Sequence, residues 1–173
     1  DTLIGMNADA VWNFAALTTY TFGGRELTFD AFETLIGGTA IDTYEFTDAT
    51  TYTGLIDGGN GDDIITFATS SITQNIILTG LGGTDSFTGQ SDNFQFANIN
   101  SVIGSRAIDD SFTGLDADAV WTVDDVQNQY QEAFLGAASP EQPRPIHSNR
   151  GGRVFHPPSM DHHVWLIHAY LIF

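Results

Sequence analysis

Apolar residues fall at every second position after two aspartates: Tyr44 and Phe46 follow Asp42, and Ile65 and Phe67 follow Asp63. Alternation with period two, carried by aromatic and β-branched side chains, predicts short strands with one face toward a core. Thr and Ser fill many intervening positions, which suits the solvent face of a sheet. Gly and Asn clusters such as Gly58-Gly59-Asn60-Gly61 separate the runs and predict turns. Helical periodicity is not evident before residue 122, so the expected class is all-β.

The runs also repeat. Gly58-Gly59-Asn60-Gly61-Asp62-Asp63-Ile64-Ile65-Thr66 fits the pattern G-G-x-G-x-D-x-U-x at every fixed position. Gly37-Gly38-Thr39-Ala40-Ile41-Asp42 keeps the two glycines and the Asp but has Ala40 where a third Gly belongs. Gly104 to Asp109 keeps the five steps from Gly to Asp, and Gly82-Gly83-Thr84-Asp85 is a shortened version. The aspartates 42, 63, 85 and 109 therefore lie 21 to 24 residues apart. Short strands at that interval predict a parallel β-helix or β-roll solenoid, with on the order of six rungs over a length of roughly 30 Å.

Two longer registers overlie this one. Asp1-Thr2-Leu3-Ile4-Gly5 through Ala8-Asp9-Ala10-Val11-Trp12 recurs 109 residues later as Asp110-Ser111-Phe112-Thr113-Gly114 through Ala117-Asp118-Ala119-Val120-Trp121. Tyr130 roughly matches Tyr20, and Asp85-Ser86-Phe87-Thr88-Gly89 is a third relative. Residues 29–42 recur at 96–109, an offset of 67. Registers of this kind indicate growth by duplication. Residues 1–135 are accordingly read as the repeat region. Residues 136–173 hold all five prolines and all five histidines, lose the Gly-to-Asp pattern, and are expected to form a poorly ordered, non-repeat tail from a frame change or a truncated reading.

Composition narrows the function. Twenty-two acidic residues stand against five basic ones, all Arg, for a formal charge of −17. Such a surface repels nucleic-acid phosphate and anionic lipid, and favours divalent cations or solubility in salt. Cysteine is absent, so there are no disulfides or thiolate metal sites. No apolar run approaches the roughly 20 residues that a helix needs to cross a membrane.

With these residues in view, residues 58–66 resemble a calcium-binding nonapeptide of the RTX type. The wider repeats resemble those of giant bacterial surface adhesins, of the filamentous-haemagglutinin-like kind, over residues 1–135. The resemblance implies a secreted or surface-attached, non-catalytic β-solenoid acting as structural or adhesive module. Its implied partners are a host-cell or matrix glycan or protein and neighbouring repeats of the same parent chain. The alternative is an RTX-like calcium module accessory to a secreted enzyme such as a polysaccharide lyase or epimerase. Calcium needs six to eight oxygen ligands, and tandem nonapeptides supply them from successive turns. Here one intact copy stands alone, so a Ca2+ site would draw on Asp57, Asp62 and Asp63, with stacking able to bring Asp42, Asp63 and Asp85 into a column. Without calcium, the Asp side chains cap turns.

Other constellations point less far. The carboxylate pairs Asp62-Asp63, Asp109-Asp110 and Asp124-Asp125 are neighbours on strands or turns, where successive side chains face opposite ways. A lyase or epimerase site combines acids with Lys, Arg or His, and the repeat region has only Arg25 and Arg106. His156, Asp161, His162, His163 and His168 match no metal-ligand spacing. Trp12 and Trp121, at equivalent repeat positions, are expected in the core rather than as sugar-stacking platforms.

Overall fold

The computed structural model describes residues 1–49, 52–107, 109–116, 119–123, 128–132, 154–155 and 166–168. Every regular element among them is a strand, and the protein is all-β. In chain order these are β1 (Thr2–Ile4), β2 (Ala10–Phe14), β3 (Thr18–Phe22), β4 (Arg25–Phe29), β5 (Thr34–Gly38), β6 (Asp42–Phe46), β7 (Leu55–Gly59) and β8 (Ile64–Thr66). There follow β9 (Asn75–Leu81), β10 (Phe87–Gln90), β11 (Gln95–Ile99), β12 (Ser101–Ile103), β13 (Ser111–Thr113), β14 (Ala119–Val123), β15 (Asn128–Glu132), β16 (Val154–Phe155) and β17 (Leu166–His168). The expected tail, residues 136–173, lies outside the described residues except for these last two strands, which pair antiparallel with β13 and β12.

The strands form two mixed sheets. The first has the order β1-β5-β7-β11-β10-β9-β13-β16, the second β14-β15-β17-β12-β8-β6-β2-β3-β4. From β5 to β8 the chain visits the sheets in turn, and each strand pairs in parallel with the equivalent strand of the copy before it. In the first sheet β1, β5, β7 and β11 run parallel and side by side. In the second, β2, β6, β8 and β12 do the same.

Alternation along these strands decides which residues meet. β2 and β6 both bury every second residue, so Trp12 stacks on Tyr44 (centroids 5.7 Å apart) and Phe14 on Phe46 (4.3 Å). Phe46 also stacks on Phe94 (4.5 Å) and Phe67 (5.1 Å), while Leu35, Ile56 and Phe96 fill the opposite wall from the first sheet. Full burial of such a side chain contributes about 1.5–3 kcal/mol, and a well-placed aromatic pair about 0.5–1.5 kcal/mol more.

The interval expected from the aspartates holds for one step only. Asp63 lies 21 residues beyond Asp42, just before the neighbouring strand β8, but Asp42 lies opposite Ala10, 32 residues before it, and Asn100 follows Asp63 after 37. Hairpin β3–β4 lengthens the first interval and hairpin β9–β10 the last. Asp85 and Asp109 therefore do not continue the series: Asp85 is half-buried in the turn before β10 and Asp109 is exposed. The 67-residue register likewise has no structural counterpart, because β5 belongs to the first sheet and β12 to the second. The 109-residue register does have one. β1 and β13 lie in the first sheet, β2 and β14 in the second, and Trp121 pairs with Tyr130 across β14–β15 as Trp12 pairs with Tyr20 across β2–β3.

Candidate functional site

Where the parallel strands stack, the repeated Gly and Asp positions build two adjoining columns. Gly37 and Gly58 lie side by side on β5 and β7, and Asn98 of β11 takes the next place. Beside them run Asp42, Asp63 and Asn100, each just before or at the start of a strand of the second sheet. Both aspartates are fully buried. Trp12 Nε1 donates to Asp42 Oδ1 (2.8 Å), Asp42 N donates to Asp63 Oδ1 (2.8 Å), and Asp63 N donates to Asn100 Oδ1 (3.0 Å). Asn100 Nδ2 then reaches Asp85 Oδ2 at 3.3 Å. Asp85 thus stands beside the column expected to contain it, and an asparagine occupies its place.

The five-residue step from Gly to Asp follows from this geometry. A Cβ on Gly37 would lie 2.7 Å from Asp42 Oδ2, 2.9 Å from Tyr44 Oη and 2.4 Å from Gly58 O. On Gly58 it would lie 2.5 Å from Asp63 Oδ2 and 2.3 Å from Asn98 O. The glycines are the space into which the carboxyl groups fold. Gly61, by contrast, is required by its backbone, with φ at 127° in the turn leading to Asp63.

Among the described residues no basic group is paired with this column. Burial, with Asp9 adding repulsion, pushes the Asp42 carboxyl up to about 6 against the pull of the Trp12 hydrogen bond. Burial pushes Asp63 up to about 8, and the charges of Asp42, Asp85 and Asp62 act in the same direction. Burial beside these acids also raises the Tyr44 hydroxyl. Asp42 Oδ2 and Asp63 Oδ2 are buried without a hydrogen-bond partner, which disfavours a charge on either.

The three residues expected to contribute to a calcium site go separate ways. Asp63 points into the interior and Asp62 is exposed. Asp57 is engaged by Gly59 N (3.1 Å) and Asn98 Nδ2 (2.6 Å), which ties β7 to β11. Among the described residues no group of three or more His, Asp or Glu side chains converges as a metal-binding set. Of the other carboxylate pairs, Asp109 is exposed and Asp110 half-buried, while Asp124-Asp125 lie outside the described residues. The histidine group lies outside them too, apart from the backbone of His168 in β17. Trp12 is fully buried, as core packing requires.

The chain matches no family model, no curated protein and no solved structure. Function is therefore read from the arrangement itself. Its polar side chains bind successive strands to one another. Asp48 accepts from Ser70 Oγ, Ser71 N and Ser71 Oγ, and Asp110 accepts from Gln74 N, Ser105 N and Ser105 Oγ, so each cross-links turns distant in sequence. Asn98 is the most connected residue that motif reading misses: its amide spans Asp57, Thr84 N and Asp85 N. The signal for it would be an Asn at the register of a repeat glycine with φ at 54°, and the intervening hairpin hides that register.

Proposed function

We propose that the chain is a stretch of β-solenoid serving as a structural and adhesive module of a secreted or surface-attached bacterial protein, without catalysis of its own. The observation that carries this reading is the parallel, in-register stacking of successive repeat copies in both sheets, with aromatic residues and aspartates meeting their own counterparts. A stack of this kind transmits force along a continuous hydrogen-bonded ladder and repeats its outer surface at fixed spacing. Many weak contacts to a glycan or protein of a host cell or matrix then add up to avidity. The ladder carboxyls serve this role as buried cross-links between rungs.

Two measurements test the reading. Three copies of the chain fused in tandem and displayed on a non-adherent bacterium are expected to increase attachment to glycan- or matrix-coated surfaces over one copy. Attachment no better than that of undisplayed cells would remove the adhesive part. Thermal unfolding of the chain is expected to show the same midpoint in chelator and in millimolar calcium. A calcium-dependent rise, required by mass action for any ion bound to the folded state alone, would shift the reading to an RTX-like module.

A further inference from the structure

The turn between β7 and β8 carries the intact glycine motif, and the column gives a role to Gly58, Gly61 and Asp63 but none to Asn60. Asn60 is exposed, and its backbone N–H donates to Gly38 O (3.1 Å), so the main chain there is pinned to the neighbouring copy. Its side-chain amide and the N–H of Gly61 have no hydrogen-bond partner among the described residues. A free carboxamide therefore sits next to a free backbone nitrogen.

Asn60 is also the only asparagine in the chain that is followed by glycine. A following residue without a Cβ leaves its nitrogen open to the asparagine side chain. Other amides are held. Asn98 spans Asp57 Oδ1, Thr84 N and Asp85 N, Asn100 accepts from Asp63 N, and Asn75 bonds Asp92 Oδ2 and Ser111 Oγ. The residues after these three, Ile99, Ser101 and Ile76, lie in strands and carry side chains. In the preceding copy Gly38 lies opposite Gly59, so Thr39-Ala40 holds the place of Asn60-Gly61 and offers no amide.

We propose that Asn60 is a site of self-modification, at which the chain deamidates through Gly61 and loosens its own turn with age. This stands apart from the adhesive reading. Hydroxide takes the proton of the Gly61 nitrogen, which attacks the side-chain carbonyl carbon of Asn60 and closes a succinimide ring, while Nδ2 leaves as ammonia. Water then opens the ring. Attack at the side-chain carbonyl gives aspartate, and attack at the main-chain carbonyl leaves Gly61 bonded through Cγ, an isoaspartate whose main chain is longer by one carbon. One water is consumed and one ammonia released. Either product adds a carboxylate beside Asp62 in a chain already at −17. The isoaspartyl form also lengthens a turn with no slack, since a Cβ on Gly59 would lie 2.3 Å from Gly38 O and one on Gly61 2.4 Å from Ala40 O. The hold of Asn60 N on Gly38 O is then lost, and the β7–β8 turn parts from the turn between β5 and β6.

The test incubates the full chain at pH 6, 7 and 8 beside a free peptide of residues 57–64. Mass spectrometry with electron-transfer fragmentation maps both and separates isoaspartate from aspartate. Conversion at Asn60 is expected in the chain, faster in proportion to hydroxide, with Asn75, Asn98 and Asn100 intact and no acidic isoform formed by Asn60→Gln. The isoaspartyl fraction is expected to melt below the parent, and Asn60→Asp, which has the charge without the added carbon, to melt closer to it. An amide still intact in the chain once the peptide has converted would overturn the site. So would a rate that rises with urea in step with the unfolded fraction, since the reaction would then belong to the unfolded chain. An isoaspartyl fraction that melts with the parent would overturn the loosening of the turn.

Discussion

The carboxyl oxygen of Asp63 does for Asp42 N what the amide oxygen of Asn100 does for Asp63 N, at 2.8 and 3.0 Å. An acid in such a place is best neutral, and its titration is then linked to folding. Both carboxyls titrate above the ordinary Asp value of about 3.9 when folded, so the folded chain binds more protons than the unfolded chain between about pH 4 and pH 8. Stability is fully expressed below that window and falls as pH rises through it. A two-unit displacement corresponds to about 3 kcal/mol. Urea unfolding is expected to give greater stability at pH 4.5 than at pH 8.5. Asp63→Asn is expected to keep the fold and flatten the upper part of the profile, leaving the fall through pH 6 to Asp42. Equal slopes for parent and variant between pH 6 and 8 would refute the neutral Asp63.

Among elements, β5 and β7 show why the repeat has the form it has. Their glycines bring two backbones and a carboxyl group within a space that admits no methyl group. Gly37→Ala would place its Cβ 2.4 Å from Gly58 O, a backbone atom that cannot step aside without moving β7. Overpacking of this sort costs about 1–3 kcal/mol or more. A drop of that size in chemical denaturation is expected, against little change for Gly83→Ala, where a Cβ meets open space. A Gly37→Ala chain as stable as the parent would show that the Gly-to-Asp step is not steric. The strands themselves were legible from alternation: Tyr44, Phe46, Ile65 and Phe67 all point inward as their spacing requires. The partners of those strands were legible only where no hairpin intervened, because an insertion of unknown length erases the period.

The whole molecule carries a formal charge of −17 with five arginines to offset it. Self-repulsion of a compact acidic chain is screened by salt over a Debye length of about 10 Å at 0.1 M and 3 Å at 1 M. The melting midpoint is therefore expected to rise between 0.05 and 0.5 M sodium chloride at pH 7, and a midpoint that fell would show that attractive charge pairs dominate. Class, the strands after Asp42 and Asp63, the buried Trp12 and the 109-residue duplication follow from the amino-acid sequence alone, since alternation and repetition are local properties that each residue states for itself. The fate of the aspartates does not. Asp42, Asp63, Asp85 and Asp109 look alike along the chain. Yet only the first two enter the column: the β9–β10 hairpin displaces Asp85 and brings Asn100 into its place, and Asp109 is left on the surface. Likewise Asp57, Asp62 and Asp63 lie within seven residues of one another, but strand pleating and the pairing of β7 with β11 send one to a cross-link, one to solvent and one to the core. Which carboxyl loses its water is decided by which strands stack on it, and stacking is a property of the folded molecule.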